Sequence, residues 1–399
     1  MQRRILAALF AAWLMTAMAF CAEPEEIFAS SGAKGAVLLE CASGRVLAEK
    51  NAKERLPVAS TTKIMTALLV LEHGDLDTPF TVDDSAIRVE GSSMGLTEGD
   101  TVTLRALLWG MLLASGNDAA NAAAVRVAGS IEDFVGRMNE RAAELGMDNT
   151  HFSSPSGLET GEHYSCALDM ARLACHAMQN ETFAEMTASS SAAVSFGNPP
   201  YERRLYNHNR MLSLCEGAVG VKTGYTKAAG RCLVSAVRRG ELTLVAVTLG
   251  CPDDFNVHNN LYAAAFSELF YADFTDRVSL FSTSVTGAGE QTLPLAAAEP
   301  LGAYLTAEER SQVGMSFLIQ PFVYAPVHRG QTLGTVLLTL NGETIASAPI
   351  VSAAERPTVI PDNRSIIERI EEFFYFPNRQ SFPFSIFEDR EEENSESSA

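Results

Sequence analysis

Two short apolar-rich runs, residues 35–41 and 45–49, flank the turn pair Ser43-Gly44 and predict a β-hairpin early in the chain. From Ser60 the period changes. Ile64, Met65, Leu68, Leu69 and Leu71 recur at helical spacing, with Pro57 ahead and Gly74 behind, which predicts a mostly buried helix opening near Ser60. Further helices are expected at about 104–114, 119–128 and 131–145. After this block, β-rich runs at 232–238 and 242–249, joined by Arg239-Gly240-Glu241, predict a second hairpin, followed by a helical stretch over 259–270. Strands at both ends of a helical block predict one mixed α/β domain whose terminal strands share a sheet.

Beyond Asp276 the pattern turns to short alternating runs at 278–282, 316–322 and 335–340, with Asn341-Gly342 as a strong hairpin turn. That predicts a small all-β domain over 276–358. In 359–378, Ile366, Ile367, Ile370, Phe373 and Phe374 line one side of a predicted helix bounded by Pro361 and Pro377. Its polar face sets Glu368, Glu371 and Glu372 against Arg364 and Arg369 and lacks the Lys-rich character that anionic lipids attract. Peripheral membrane contact and packing on the β domain are both open for it. Residues 379–399 are acidic and Ser-rich, the composition of a disordered tail.

The first residues change the picture of where the chain works. Arg3 and Arg4, an apolar stretch and Ala17-Met18-Ala19 read as a signal peptide over 1–22, so the mature protein is expected to be exported, starting its mixed domain at about residue 23. The apolar run is shorter than the ~20 residues of a spanning helix, which speaks against a retained anchor. At 399 residues and 47% hydrophobic, the chain can bury large cores. A formal charge of -19 without a basic patch excludes nucleic acid as the expected partner. The seven cysteines are scattered; most are read as small buried apolar residues, and neither CxxC nor HExxH spacing points to a metal or any other cofactor.

Three short motifs carry candidate chemistry: Ser60-Thr61-Thr62-Lys63, Ser115-Gly116-Asn117 and Lys222-Thr223-Gly224. Any one of them is weak, but Ser60 opens a helix and Lys63 lies three residues on, the same face. A serine hydroxyl needs a base to take its proton. A lysine, normally titrating near ~10.4, becomes that base only if burial or a second cation lowers it. Lys222 folded beside Lys63 would be that cation and would attract an anionic substrate. The helix start adds partial positive charge and a backbone N–H for a developing oxyanion. Gly116 is expected to permit a sharp turn that points Ser115 and Asn117 into a cleft, Ser115 to relay a proton between Lys63 and the leaving amine, and Asn117 to bond a substrate amide.

The set resembles the Ser-x-x-Lys, Ser-x-Asn and Lys-Thr-Gly motifs of the penicillin-recognising serine enzymes, and the Ser-Gly-Asn form resembles their low-molecular-mass D-Ala-D-Ala carboxypeptidases, peptidase family S11. Gly91-Ser92-Ser93-Met94, Ser156-Gly157-Leu158, His163-Tyr164-Ser165 and Gly220 to Thr226 resemble stretches of that family too, as does Pro326 to Gln331 in the β domain. The resemblance implies a penicillin-binding, β-lactamase-like α/β catalytic domain with a C-terminal β domain and terminal amphipathic helix. It implies peptidoglycan stem peptides as substrate, β-lactams as inhibitors and a place in the cell envelope. It also implies that Lys222 and Thr223 edge the cleft and bind the substrate carboxylate, that the Ser60 and Tyr225 N–H groups form the oxyanion hole beside Gly224, and that Arg210 supports the carboxylate site. One departure stands out: where relatives often carry a further arginine after the second hairpin, this chain has Asp253-Asp254-Phe255-Asn256-Val257-His258.

Rival readings are a β-lactamase, which shares the acylation step, and a catalytically silent cell-wall binding module, which would be expected to lack Ser60 or Lys63. Gly91-Ser92-Ser93-Met94-Gly95 fits the GxSxG pattern of α/β-hydrolases, but the turn-like Leu96 to Asp100 offers no following helix, so this segment is expected to be a loop framing the cleft.

Overall fold

The computed structural model describes residues 23–158 and 161–359. Its mixed part is built on a five-stranded antiparallel sheet of β1 (Gly35–Glu40), β2 (Val46–Lys50), β3 (Ala218–Thr226), β4 (Gly230–Arg239) and β5 (Leu242–Leu249), in the order β2-β1-β5-β4-β3. Both expected hairpins are present, and β1 lies against β5 with Val37 opposite Val247, so the two ends of the helical block do share one sheet. Side chains alternate across a strand. Val37, Leu39, Val245 and Val247 therefore enter one core, while Ala36, Leu38, Leu244 and Ala246 enter another on the opposite face. Burial on both faces is why these strands read as nearly unbroken apolar runs.

The first core is covered by α1 (Lys63–His73), α2 (Leu104–Leu112), α3 (Asn117–Ala128) and α4 (Ala167–Ala177), the second by α5 (Asp254–Glu268). The last of these starts five residues ahead of the expected 259, because the polar Asp253 to Asn256 stretch that looks like loop begins the helix, with Asp254 in the first turn where a negative charge is favoured. Sequence periodicity missed a hairpin, Ser191–Gly197 with Pro200–Tyr206, which joins Phe80–Thr81 and Thr101–Val102 in a four-stranded sheet. Only Val194, Phe196 and Leu205 among its apolar side chains are buried, too few to register as a strand pattern.

The β part forms a six-stranded sheet, and its Asn341-Gly342 turn has φ of 52° and 86°, the left-handed pair that such a hairpin demands. Two expected strands are corrected. Thr275–Leu280 is a 3-10 helix that buries Val278, and the strand begins only at Ser282. The 316–322 run is two strands, Gly314–Ile319 and Phe322–Tyr324, separated at Gln320-Pro321, where proline has no N–H for a ladder. Arg45 of the mixed part forms an ion pair with Glu309 and donates to the Tyr304 carbonyl at 2.7 Å.

Cysteine usage is partly as expected: Cys166, Cys215, Cys232 and Cys251 are buried free thiols. Cys41 and Cys175, however, form a disulfide between the end of β1 and α4. No described helix is long and apolar enough to cross a membrane. The expected leader with Cys21, the helix around 366–374 and the acidic tail lie outside the described residues.

Candidate active site

The turn that carries Ser60 is built under constraint. Ala59–Thr62 is a 3-10 turn entering α1, and Ala59 holds φ of 48°, a left-handed conformation costly for a residue with a Cβ. Gly157, itself at φ of 82°, presses against it so closely that a Cβ there would lie 1.9 Å from the Ala59 carbonyl oxygen. Held this way, Ser60 faces a cleft while Lys63, one turn later, is fully buried.

The Lys63 amine lies 2.9 Å from Ser60 Oγ, 2.7 Å from Asn117 Oδ1 and 2.6 Å from the Ser156 carbonyl oxygen. Two of these neighbours can only accept. A neutral amine therefore spends its two N–H groups on Asn117 and Ser156 and turns its lone pair to the Ser60 hydroxyl. Burial lowers the Lys63 pKa well below its ordinary value, the Lys222 charge lowers it further, and Asp118 opposes both.

Ser115 sits between α2 and α3, as expected, and Asn117 opens α3, but the turn works differently. Ser115 takes the left-handed φ, 58°, whereas Gly116 has an ordinary φ of -57°. Gly116 is needed for space, since a Cβ would lie 2.7 Å from Asp118 Oδ1 and 2.9 Å from the Met94 amide. Ser115 Oγ accepts from the Lys222 amine at 3.0 Å rather than from Lys63. Asn117 is buried, with Oδ1 accepting from the Lys63 amine at 2.7 Å and Nδ2 donating to the Glu90 carbonyl at 2.6 Å, so its amide braces the base.

Lys222 and Thr223 lie on β3, the edge strand, as the family resemblance implied. The Lys222 amine is buried, donates also to the Thr223 carbonyl at 2.9 Å, and has its pKa lowered by burial to about 7. At Gly224 the strand passes the nucleophile turn so tightly that a Cβ would sit 3.1 Å from the Ser60 amide nitrogen. Tyr225, the next residue, lines the same cleft as Ser60. The resulting cleft, about 410 Å³, is lined by Ser60, Ser115, Thr223, Tyr225, Arg210 and Arg231. Arg210 is exposed beside it, its guanidinium 5.5 Å from the centre of the Phe255 ring.

Asp118 and Arg231 escaped the sequence reading, whereas His163 stands in one of the family-like stretches. Asp118, buried, accepts from Ser93 Oγ at 2.5 Å and from the Met94, Leu96 and Gly95 amides at 3.0, 3.0 and 3.1 Å. It pins the 91–96 segment as the loop that frames the cleft, with Ser92 on the lining. The decoy hydroxyl of Ser93 is thereby occupied. His163, held neutral by burial with a pKa of about 4, supports the nucleophile turn from behind through Thr62 Oγ1 at 2.8 Å. Arg231 lies opposite Tyr225 across the β3–β4 ladder, a position that counting the hairpin register back from its turn would have found.

The sequence matches the family described as D-alanyl-D-alanine carboxypeptidase over residues 20–253, and the C-terminal domain of penicillin-binding protein 5 over residues 279–358. It is 34% identical to D-alanyl-D-alanine carboxypeptidase DacF of Bacillus subtilis (strain 168), covering 80% of this chain and 85% of that one. It is 33% identical to D-alanyl-D-alanine carboxypeptidase DacC of Escherichia coli (strain K12), covering 85% and 88%. Among solved structures, the fold resembles penicillin binding protein 5 from Haemophilus influenzae, with a TM-score of 0.67 at 25% identity over 82% of this chain and 98% of that one. The D-alanyl-D-alanine carboxypeptidase DacD from Francisella tularensis gives a TM-score of 0.62 at 27% identity over 82% and 94%. With motifs, fold and relatives in agreement, this chain belongs to the peptidase S11 family of serine D-alanyl-D-alanine carboxypeptidases.

Proposed function

We propose that this enzyme removes the terminal D-alanine from peptidoglycan stem pentapeptides through an ester on Ser60, with Lys63 as its base. The observation that carries this reading is the Lys63 amine, buried and set between two acceptors with Ser60 Oγ at 2.9 Å. As the Ser60 oxygen bonds to the carbonyl carbon, its proton passes to Lys63, and the Ser60 and Tyr225 N–H groups stabilise the oxyanion. The C–N bond then breaks, and D-alanine leaves as its amine takes the proton from Lys63 through Ser115, which returns Lys63 to the free base. Water attacks the ester as Lys63 takes its proton, and the bond to Ser60 Oγ breaks as Lys63 returns that proton to the serine oxygen. Lys222, Thr223 and Arg210 face the substrate carboxylate. A β-lactam acylates the same oxygen.

The catalytic unit is assigned to 23–275 and the β unit to 276–358, with 1–22 as a leader directing export to the cell envelope. The Cys41–Cys175 disulfide supports an oxidising compartment.

The test is D-alanine release from a pentapeptide by the wild type and by Ser60→Ala, with fluorescent penicillin labelling alongside. Release should fall by at least roughly a thousandfold, the scale of losing a covalent nucleophile, and labelling should vanish. Wild-type labelling without release would instead indicate a β-lactamase or a penicillin-binding sensor.

A further inference from the structure

The stretch after the second hairpin has no arginine, yet the structure delivers a guanidinium to the cleft from elsewhere. Arg231, on β4, donates through Nε at 3.1 Å and Nη2 at 2.7 Å to one oxygen of Asp254, a residue of the very stretch that lacks the arginine. The Asp254 side chain is 4% exposed and that of Arg231 44%, so the carboxylate is a fixed anchor and the guanidinium reaches outward. A guanidinium has five N–H groups in a planar fork. Asp254 uses one on Nε and one on Nη2, which leaves the Nη1–Nη2 end able to hold a second carboxylate by two parallel bonds. Arg210 and Arg231 both pack on Phe255, at 5.5 and 5.3 Å from the ring centre, and among the described residues Arg210 has no ion pair. Two cations on one ring, with one carboxylate paired to only one of them, leave this end of the cleft net positive beside Thr223 and Tyr225.

Resting on the reading of Ser60 as nucleophile, we infer that Arg231 is a specificity-determining residue for the free C-terminal carboxylate of the stem peptide and that Asp254 is its positioning residue. The arginine missing from the helix-side stretch is supplied by the sheet. The aspartate standing in that stretch holds it there. Because Asp254 also neutralises part of the charge, the substrate must share the guanidinium with it, and the pair sets how strongly a carboxylate is preferred over a neutral group.

The experiment compares two substrates in the full-length enzyme: an acylated D-Ala-D-Ala peptide with a free carboxylate, and an acyl-D-alanyl methyl thioester with none. Arg231→Leu should lower kcat/KM on the peptide by roughly ten- to a hundredfold, the size of a lost charge-assisted contact, and leave the thioester within about threefold. An equal fall on both, or none on the peptide, overturns the role. Asp254→Asn, checked for folding by its melting curve, should lower the peptide value less and spare the thioester. Added to Arg231→Leu it should cost nothing more, and an additive loss shows that Asp254 does not act through Arg231. Should Asp254→Asn fail to fold, Arg231→Lys decides instead. It keeps the charge without the fork, so only part of the peptide preference should return, and a full return overturns the paired contact. Ser60→Ala is the separate control: if it still turns over both substrates, the nucleophile reading fails rather than this one.

Discussion

Two buried amines define the chemistry at the scale of single residues, and each changes the other. Lys63 is lowered first by burial and second by the Lys222 charge, so as the free base it is present at a pH where an exposed lysine would be almost wholly protonated. Removing the second charge by Lys222→Ala makes protonation of Lys63 easier. Its pKa then rises, though burial still keeps it below the ordinary value. The acid limb of the penicillin acylation rate should accordingly move to higher pH in Lys222→Ala, and a limb that stays put would show that the two charges are not coupled. Burial lowers the Lys222 pKa to about 7, so contacts that need its charge should weaken above that value. The three motifs were legible as short strings because the chemistry demands fixed residue types at fixed spacing. Their wiring was not. Which acceptor takes which amine proton depends on Ser156 and Glu90, residues distant in sequence from the lysines, and on a left-handed φ at Ser115 rather than at the neighbouring glycine.

Secondary elements were readable where periodicity and turn chemistry agreed. Both expected hairpins of the central sheet and α1 combine buried apolar positions with explicit turn residues, whereas Ser191–Gly197 and Thr275–Leu280 bury too little in a regular pattern to declare themselves. Glycines show the same division between local and tertiary causes. Gly136 lies inside the Ile131–Glu144 helix with nothing within 4 Å of a Cβ, so Gly136→Ala should stabilise the fold by about 0.5–1 kcal/mol and leave acylation unchanged. Gly157→Ala is the opposite case. Both its φ of 82° and the Ala59 carbonyl exclude a methyl group, so the nucleophile turn must shift. Penicillin acylation should fall by at least tenfold even in whatever fraction remains folded, because a displacement of about 1 Å at a reacting group costs on the order of a hundredfold. Melting curves and labelling rates on the two variants check both; a well-folded and fully active Gly157→Ala protein would show that this loop does not shape the turn.

At the scale of the whole molecule, the chain closes on itself twice. The pairing of β1 with β5 brings residues about two hundred positions apart into register, and the Cys41–Cys175 disulfide ties the end of β1 to α4 across a separation of 134 residues. Scattered cysteines said nothing of that partnership, since only the fold sets Cys41 beside Cys175. A cross-link acts mainly on the unfolded chain, where a closed loop of this length removes conformational entropy worth up to about 5 kcal/mol at 25 °C. The folded sheet and helix are also held by their buried faces, so the native geometry around Ser60 does not need the bond. Reduction with dithiothreitol, or a paired Cys41→Ser and Cys175→Ser replacement, should therefore lower the unfolding free energy in urea by about 2–5 kcal/mol while the acylation rate at 25 °C stays within about twofold. Equal stability with and without reductant would mean that the two thiols are not joined in solution, and the disulfide would no longer support export. A large loss of acylation at unchanged stability would instead place the bond in the positioning of the catalytic residues.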